Sequence, residues 1–174
     1  HEPVNERAKA GIFMAFQAPI SVQGISVENF IRNAKSTISG EKQRIMPFRK
    51  KLHKEMDELA MDRSYAERYV NDGFSGGERK KNEILQMCML EPKLTMLDEI
   101  DSGLDVDAVR IVSKAVNQYH NETNSLLIIT HHSEILQKLH PDVVHVLING
   151  RIVKTGDASL IQEIEANGYD AYKK

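Results

Sequence analysis

Leu-Thr-Met-Leu-Asp-Glu, residues Leu94–Glu99, is the most informative segment of the chain, and it follows the glycine-rich segment Ser75–Glu78, Ser-Gly-Gly-Glu. A short apolar run that ends in acidic residues is typical of a buried strand whose carboxyl end opens onto a ligand site. Glycines at the start of a helix let its backbone N–H groups approach an anion closely. The two segments in this order predict an α/β domain that binds phosphate.

Outward from Leu94–Glu99, predicted strands and helices alternate towards the C-terminus. The predicted elements are a helix over Glu78–Leu90, a strand over Leu94–Leu97, a helix over Val106–His120 with Asp105 as its N-cap, a strand over Leu126–Thr130, a helix near Ser133–Leu139, a hairpin of Val143–Ile148 and Arg151–Thr155 around Asn149-Gly150, and a helix over Leu160–Ala166. The alternation predicts a largely parallel sheet, and Asn-Gly between apolar runs predicts a C-terminal β-hairpin.

The region before residue 78 has a different composition. Gly11–Gln17 is an apolar run that predicts another buried strand, whereas residues 26–72 are polar and helical in pattern. The helix signals are the N-cap residue Ser26, the 3.6-residue period of Phe48, Leu52, Met56 and Leu59, and the capping-box spacing of Ser64–Glu67. We therefore expect an inserted helical subdomain over residues 18–90 and the second half of an α/β core over residues 91–174, so that residues 1–174 form one partial domain.

Composition argues against several classes of function. The 174 residues are 41% hydrophobic and 28% charged, with a net charge of −2, which is ordinary for a globular protein and gives no sign of nucleic-acid binding. The apolar runs are too short to span a membrane, so we expect no membrane insertion. Cys88 is the one cysteine, which excludes an intrachain disulfide and the usual four-thiolate iron–sulfur site. This cysteine usage fits a reducing compartment, and we expect a cytoplasmic protein.

Five positions that follow predicted strands or open predicted helices could carry chemistry. They are Gln17, the Ser75–Glu78 segment, the acid pair Asp98 and Glu99, the Asp101–Asp105 loop, and His131 or its neighbour His132. In phosphoryl transfer one carboxylate typically holds Mg²⁺ and another group orients the attacking water, so we assign the metal to Asp98 and the water to Glu99. Each position alone is better explained by a capped helix, a turn or a solvated loop, so the functional interpretation depends on their order and spacing. The spacing does not choose between the two histidines.

In this order the segments resemble the motifs of the ABC-type ATPase family. Gln17 matches the Q-loop glutamine, Phe74–Glu78 the signature motif, Leu94–Asp98 the Walker B strand, Glu99 the catalytic glutamate, Ser102–Asp105 the D-loop and His131 the switch histidine. The resemblance implies a P-loop NTPase fold of the ABC type that uses ATP and Mg²⁺. It implies that Gln17 and Asp98 hold the metal, that Glu99 and His131 are catalytic, and that the nucleotide is contacted by Gln17, Ser75, Gly76, Gly77, Glu78, Ser102 and Asp105.

The phosphate-binding loop of this family is not found in the sequence. Such a loop needs Gly-Lys followed by Ser or Thr, and none of the ten glycines is followed by Lys. The resemblance therefore begins past that loop. We expect a truncated domain whose parent protein is an ATPase, while the 174-residue chain alone is inactive.

Four segments resemble the SufC subfamily more specifically: Gly11–Gln17, Gly73–Glu78, Asp98–Asp105 and Gly150–Gly156. Phe74 and Glu78 replace the Leu and Gln of the common signature motif. The resemblance implies a cytosolic ATPase that drives iron–sulfur cluster assembly with SufB and SufD, through a transient nucleotide-driven dimer with a second SufC subunit. The alternatives are the nucleotide-binding subunit of an ABC membrane transporter and a non-catalytic interaction fragment.

Lys80 and Lys81 lie within a turn and a half of Ser75. A positive charge near a buried acid favours the ionised acid, so we hypothesise that one of the two lysines pairs with Glu99 and restrains ATP hydrolysis until partners dock. Lys80→Ala and Lys81→Ala are then expected to raise basal turnover. A solvated basic helix face accounts for the two lysines equally well.

Overall fold

The alternation of strands and helices is present in the computed structural model, which describes residues 2–130 and 132–172. Contacts divide the chain into two units, residues 1–130 and 131–174. The first unit contains α1 (Val4–Lys9), β1 (Ile12–Ala15), β2 (Val22–Ser26), α2 (Val27–Ser39), α3 (Ile45–Glu58), a 3₁₀ helix (Arg63–Glu67), β3 (Tyr69–Val70), α4 (Gly76–Leu90), β4 (Leu94–Asp98), α5 (Val106–Tyr119) and β5 (Ser125–Ile129). The second contains α6 (Ser133–Leu139), β6 (Val144–Ile148), β7 (Arg151–Gly156), α7 (Ser159–Asn167) and a 3₁₀ helix (Asp170–Tyr172).

A three-stranded parallel sheet in the order β1-β4-β5 forms the centre of the first unit. Thr95 and Leu97 of β4 are fully buried on one face of the sheet. Because alternate residues of a strand point to opposite faces, Met96 lies on the other face. Met14 and Leu127 flank it in register there and are exposed. The predicted parallel α/β fold is confirmed.

The polar region before residue 78 contains α2 and α3, as its pattern predicts. Ser26 caps α2 by accepting the Asn29 N–H at 3.4 Å. The positions with a 3.6-residue period in and directly after α3 are all buried: Phe48, Leu52, Met56 and Leu59. An amphipathic helix buries its apolar stripe in this way, so the local prediction was sufficient here.

Three details of this region differ from the prediction. Strands β2 and β3 form an antiparallel ribbon, and such pairing joins segments that local periodicity cannot relate. The Ser64–Glu67 capping box is wrong, because Asp62 accepts the Ser64 N–H at 2.8 Å and starts a 3₁₀ helix instead. The strand predicted to end at Gln17 ends at Ala15, because the next two carbonyls bond to the side chain of Lys80.

The second unit contains the predicted hairpin of β6 and β7. Asn149 and Gly150 at its turn have φ angles of +49° and +74°, and two positive φ angles are what this two-residue turn requires. Val146 of the hairpin and Leu160 of α7 are buried. Among the helices of the described residues, none combines the length and the apolar character needed to cross a membrane.

Candidate functional site

The carboxyl ends of the neighbouring strands β1 and β4 bring Gln17 beside Glu99. The side-chain amide of Gln17 donates to Glu99 Oε2 at 2.5 Å, although the residues are 82 positions apart. The pairing of Ala15 with Leu97 aligns the two strand ends. Ligands of open α/β sheets bind at this edge, which is where the sequence predicts the site.

Glu99 has a left-handed backbone conformation, with a φ angle of +46°. For a residue with a side chain this conformation costs about 1–2 kcal/mol. Hydrogen bonds offset the cost, because the Glu99 N–H donates to the Ile129 carbonyl at 2.8 Å and its carbonyl accepts the Ser102 N–H at 3.1 Å. The following residue, Ile100, is fully buried. Backbone strain that is held in place by its surroundings is concentrated at functional sites.

Lys80 of α4 lies beneath this strand edge and is only 4% exposed. Its ammonium donates to the carbonyls of Phe16 at 3.3 Å, Gln17 at 2.7 Å and Glu99 at 3.0 Å. Burial lowers the pKa of Lys80 from its ordinary value. Lys80 therefore reaches Glu99 through the main-chain carbonyl, which differs from the hypothesised pairing with the carboxylate. Lys81 donates to the Ala60 carbonyl instead.

The sequence patterns did not identify Glu83, one turn further along α4, as part of this site. Its side chain is 6% exposed, and its carboxyl accepts the Phe16 N–H at 3.4 Å and the Gln86 amide at 3.3 Å. Burial raises the pKa of this carboxyl to about 7. Lys80 and Glu83 thus hold the carbonyl and the N–H of the same residue, Phe16. One sequence pattern could have indicated their burial: Lys80 and Glu83 have i, i+3 spacing and lie on the same side of α4 as the apolar residue Met87.

At the N-terminus of α4, the N–H groups of Ser75 and Glu78 are hydrogen-bonded within a capping box, whereas those of Gly76 and Gly77 have no acceptor within the helix. Ser75 Oγ accepts the Glu78 N–H at 3.3 Å, and the Glu78 carboxylate accepts the Ser75 N–H at 2.7 Å, so the two residues form a capping box. The N–H groups of Gly76 and Gly77 are the first two of the helix and have no intrahelical acceptor. A Cβ atom at Gly76 would meet nothing within 4 Å. This end of the helix offers donors to an anion.

The Ser102–Asp105 loop packs against the same helix end. A Cβ atom built at Gly77 would lie 3.5 Å from Leu104 Cδ2. Asp105 is the N-cap of α5, as predicted, and its carboxylate accepts the Ala108 N–H at 2.7 Å. Gly103 supplies the positive φ angle of the turn, +76°. The structure therefore brings the predicted D-loop beside the predicted signature motif.

His131 lies outside the described residues, so its predicted catalytic position stays a prediction. The preceding residue, Thr130, donates its hydroxyl to the buried Asp101 carboxylate at 2.8 Å. No group of three or more His, Cys, Asp or Glu side chains that could hold a metal ion is found in residues 2–130 and 132–172. Asp98 is the last residue of β4 and is partly exposed. Mg²⁺ is commonly bound through one or two carboxylates, substrate phosphates and water, and Asp98 with the Gln17 amide fits that donor set.

No protein-family model matches the chain. The chain is 48% identical over 173 residues to "Vegetative protein 296" of Bacillus subtilis, covering 98% of this chain and 66% of the relative. It is 46% identical over 170 residues to the "Probable ATP-dependent transporter ycf16" of Pyropia yezoensis, covering 95% and 68%. A relative from Streptococcus pyogenes, described as a "Probable ABC transporter ATP-binding protein", is 48% identical over 168 residues, covering 95% of this chain and 66% of the relative. The chain thus spans about two thirds of the length of these relatives.

Solved structures with the same fold are also known. A dimeric bacterial ABC transporter cassette, MJ0796, superimposes with a TM-score of 0.76 at 13% identity, covering 90% of this chain and 68% of that chain. The ATP-binding subunit of an ABC transporter superimposes with a TM-score of 0.73 at 20% identity, covering 90% and 63%. At these identities the likeness concerns the fold.

Proposed function

The chain belongs to the ABC-type ATPase family, and we propose that it forms the part of an ATP-hydrolysing subunit that follows the phosphate-binding loop. The observation that carries the proposal is the 2.5 Å hydrogen bond between Gln17 and Glu99. It joins the ends of two strands at the sheet edge where this fold class binds ligands. Hydrolysis needs a carboxylate at such an edge that is held in place and able to orient water.

Glu99 is the catalytic base in this proposal. Its carboxylate orients the water that attacks the terminal phosphorus of ATP and accepts a proton from that water as ADP leaves. Gln17 fixes the direction of the carboxylate, and Lys80 fixes the backbone on which both residues lie. Asp98 and Gln17 are the residues that would hold Mg²⁺, which would neutralise phosphate charge when bound. His131, just beyond β5, is assigned to the terminal phosphate by the family resemblance.

The helix end at Ser75, Gly76 and Gly77 binds the terminal phosphate of ATP held by a second subunit. The two glycine N–H groups have no intrahelical acceptor, and Ser75 Oγ, which already accepts the Glu78 N–H, keeps its own proton to donate. Because all of these groups can donate hydrogen bonds, they suit a ligand that only accepts them, such as a phosphate oxygen. Ser102 and Asp105, in the loop beside Gly77, complete the nucleotide contacts. A second copy of the subunit is therefore part of the active assembly.

The 174-residue chain alone does not hydrolyse ATP in this proposal, because its sequence contains no Gly-Lys-Ser/Thr loop. The test compares Mg-ATP binding and phosphate release by this chain with those of the longer protein that carries the loop. In the longer protein Glu99→Gln is expected to lower kcat at least about 100-fold, as loss of a general base does. The exposed Glu122→Gln removes one carboxylate from a loop and is the matched control. Equal kcat values for the two variants would refute the assignment of Glu99.

A more specific proposal concerns the process that ATP hydrolysis drives: we propose that the subunit drives iron–sulfur cluster assembly with SufB and SufD. Its support is the SufC-like sequence at Gly73–Glu78 and Asp98–Asp105. The second candidate is a transporter subunit, favoured by the description of two relatives as transporter components. Affinity purification of the tagged longer protein distinguishes them. Recovery with SufB and SufD supports the first candidate, whereas recovery with an integral membrane protein supports the second.

A further inference from the structure

Four side chains form a cluster at the N-terminus of α4. This Tyr65 cluster consists of Tyr65, Arg68, Phe74 and Glu78. Phe74 is 4% exposed, and its ring lies edge-on to the ring of Tyr65 with centroids 4.6 Å apart. The Arg68 guanidinium lies over both rings, 4.4 Å from the Tyr65 centroid and 4.8 Å from the Phe74 centroid. The cluster therefore joins the 3₁₀ helix to the segment that precedes Ser75.

Arg68 also fixes the backbone of that segment. Its Nη2 atom donates to the carbonyls of Asp72 at 3.2 Å and Gly73 at 3.1 Å. Gly73 has a φ angle of +65°, and a Cβ atom there would lie 3.1 Å from Arg68 Nη2. The Arg79 side chain donates to the Phe74 carbonyl at 3.1 Å from the other side. The path of the chain into α4 is thus set by two guanidinium groups.

The Glu78 carboxylate is held by both of its oxygens. Tyr65 donates its hydroxyl to Oε1, and the Ser75 N–H donates to Oε2 at 2.7 Å. These bonds hold the carboxylate against the Ser75 amide. The Tyr65 hydroxyl lowers the pKa of Glu78, and the same hydrogen bond raises the pKa of Tyr65. The carboxylate is therefore charged at neutral pH while the phenol is neutral.

A fixed negative charge beside an anion site weakens anion binding unless it is directed elsewhere. Glu78 is the third residue of α4, within the turn whose N–H groups attract anions. A glutamate that lost one of its two partners would be free to turn towards Gly76 and Gly77. The Tyr65 hydroxyl is the hydrogen-bond partner of this carboxylate that lies outside α4 and its cap.

We propose that Tyr65 is a positioning residue for phosphate binding, because its hydroxyl holds the Glu78 carboxylate against the Ser75 amide and away from a phosphate at Gly76 and Gly77. The inference rests on the proposed function, in which that phosphate belongs to ATP on a second subunit. Glu78, by the same argument, does not contact the nucleotide directly. It organises the helix end as a cap, and Tyr65 prevents its charge from repelling the ligand.

The experiment is a double-mutant cycle in the longer protein that carries the phosphate-binding loop. Tyr65→Phe keeps the ring and its packing on Phe74 but removes the hydroxyl. Glu78→Gln removes the charge. For each variant the KM for Mg-ATP, the kcat and the Mg-ATP-dependent association of two subunits are measured. Thermal unfolding monitors folding of each variant.

A matched control exists in the second unit. Tyr172 donates its hydroxyl to Glu163 Oε1 at 2.5 Å, and the Lys154 ammonium lies 5.5 Å from the Tyr172 ring centroid. Tyr172→Phe therefore deletes a phenol–carboxylate bond of the same kind at a place that contains none of the residues assigned to phosphate binding. We expect it to leave KM, kcat and subunit association unchanged.

Tyr65→Phe is expected to raise the KM for Mg-ATP about fivefold to tenfold, with a smaller change in kcat, since the repulsion between one partly exposed charge and a nearby anion, screened by water, has an effect of that size. In the Glu78→Gln background the same substitution should change KM less than about twofold. Equal effects of Tyr65→Phe in both backgrounds, or no effect in the wild-type background, would overturn the inference while leaving the proposed function intact. A wild-type protein that shows no Mg-ATP-dependent association would overturn both.

Discussion

The buried carboxyl of Glu83 makes a specific prediction about stability and pH. Desolvation raises the pKa of Glu83 from 4.5 to about 7, against the smaller opposite effects of its bond from Phe16 and the charge of Lys80. In the unfolded chain the carboxyl ionises near pH 4.5, whereas in the folded chain it stays protonated to about pH 7. Folded Glu83 therefore binds one more proton than unfolded Glu83 across this window.

The sign and the size of the effect follow from proton linkage. Where the folded state binds the extra proton, the free energy of unfolding falls by about 1.4 kcal/mol for each pH unit of increase. The contribution of Glu83 is thus fully present below pH 4.5 and is lost as the pH rises to about 7. Over this window the loss is about 3 kcal/mol. Above pH 7 the carboxyl is ionised in both states and the loss is constant.

Glu83→Gln removes the titration and keeps an oxygen that can accept the Phe16 N–H. We expect its free energy of unfolding, relative to wild type, to rise by about 3 kcal/mol between pH 4 and pH 8. Urea denaturation followed by far-UV circular dichroism at pH 4, 6 and 8 measures the difference. The exposed Glu122→Gln is the control, and its difference from wild type should stay within about 0.5 kcal/mol at each pH. A Glu83→Gln difference that does not change with pH would refute the burial of a protonated carboxyl.

Two further stability predictions come from single side chains. Lys80→Met leaves the carbonyls of Phe16, Gln17 and Glu99 without this donor, and we expect it to lower the free energy of unfolding, measured by urea denaturation, by about 2–4 kcal/mol. The control Lys81→Met should lower it by less than about 1 kcal/mol. Equal losses for the two variants would contradict the buried position of Lys80. Asp105→Ala removes the cap of α5 and should lower the stability measured by thermal unfolding by about 1 kcal/mol. Asp105→Asn keeps an acceptor for the Ala108 N–H and should lower it by about a few tenths of a kcal/mol. Equal losses would show that the cap is not the source of the stability.

Features that depend on neighbours in the chain were predictable from the sequence. The caps of α2 and α5 are side chains that accept an N–H three residues ahead. The hairpin turn needs two residues that tolerate positive φ angles, and Asn149 and Gly150 supply them. Strand β4 is an apolar run followed by acids. Each of these signals lies within a few residues, where side-chain chemistry acts directly on the local backbone.

Contacts between distant segments were not predictable from one sequence. The sequence places Gln17 and Glu99 at strand ends, but their 2.5 Å contact depends on the parallel pairing of β1 with β4. The Tyr65–Glu78 bond likewise crosses from the 3₁₀ helix to α4. A residue type alone does not say which distant partner it meets.

Lys80 and Glu83 show the physical reason for that division. In the sequence they are two charges on a helix, and charges on helices are usually solvated. In the folded chain both are buried beneath the end of β1, where the N–H and carbonyl groups of Phe16 bond to their side chains. Local chemistry sets which helices and turns the chain forms. Packing sets which polar groups are removed from water, and only that removal shifts the pKa of Glu83 and makes Lys80 a structural donor to the backbone of the site.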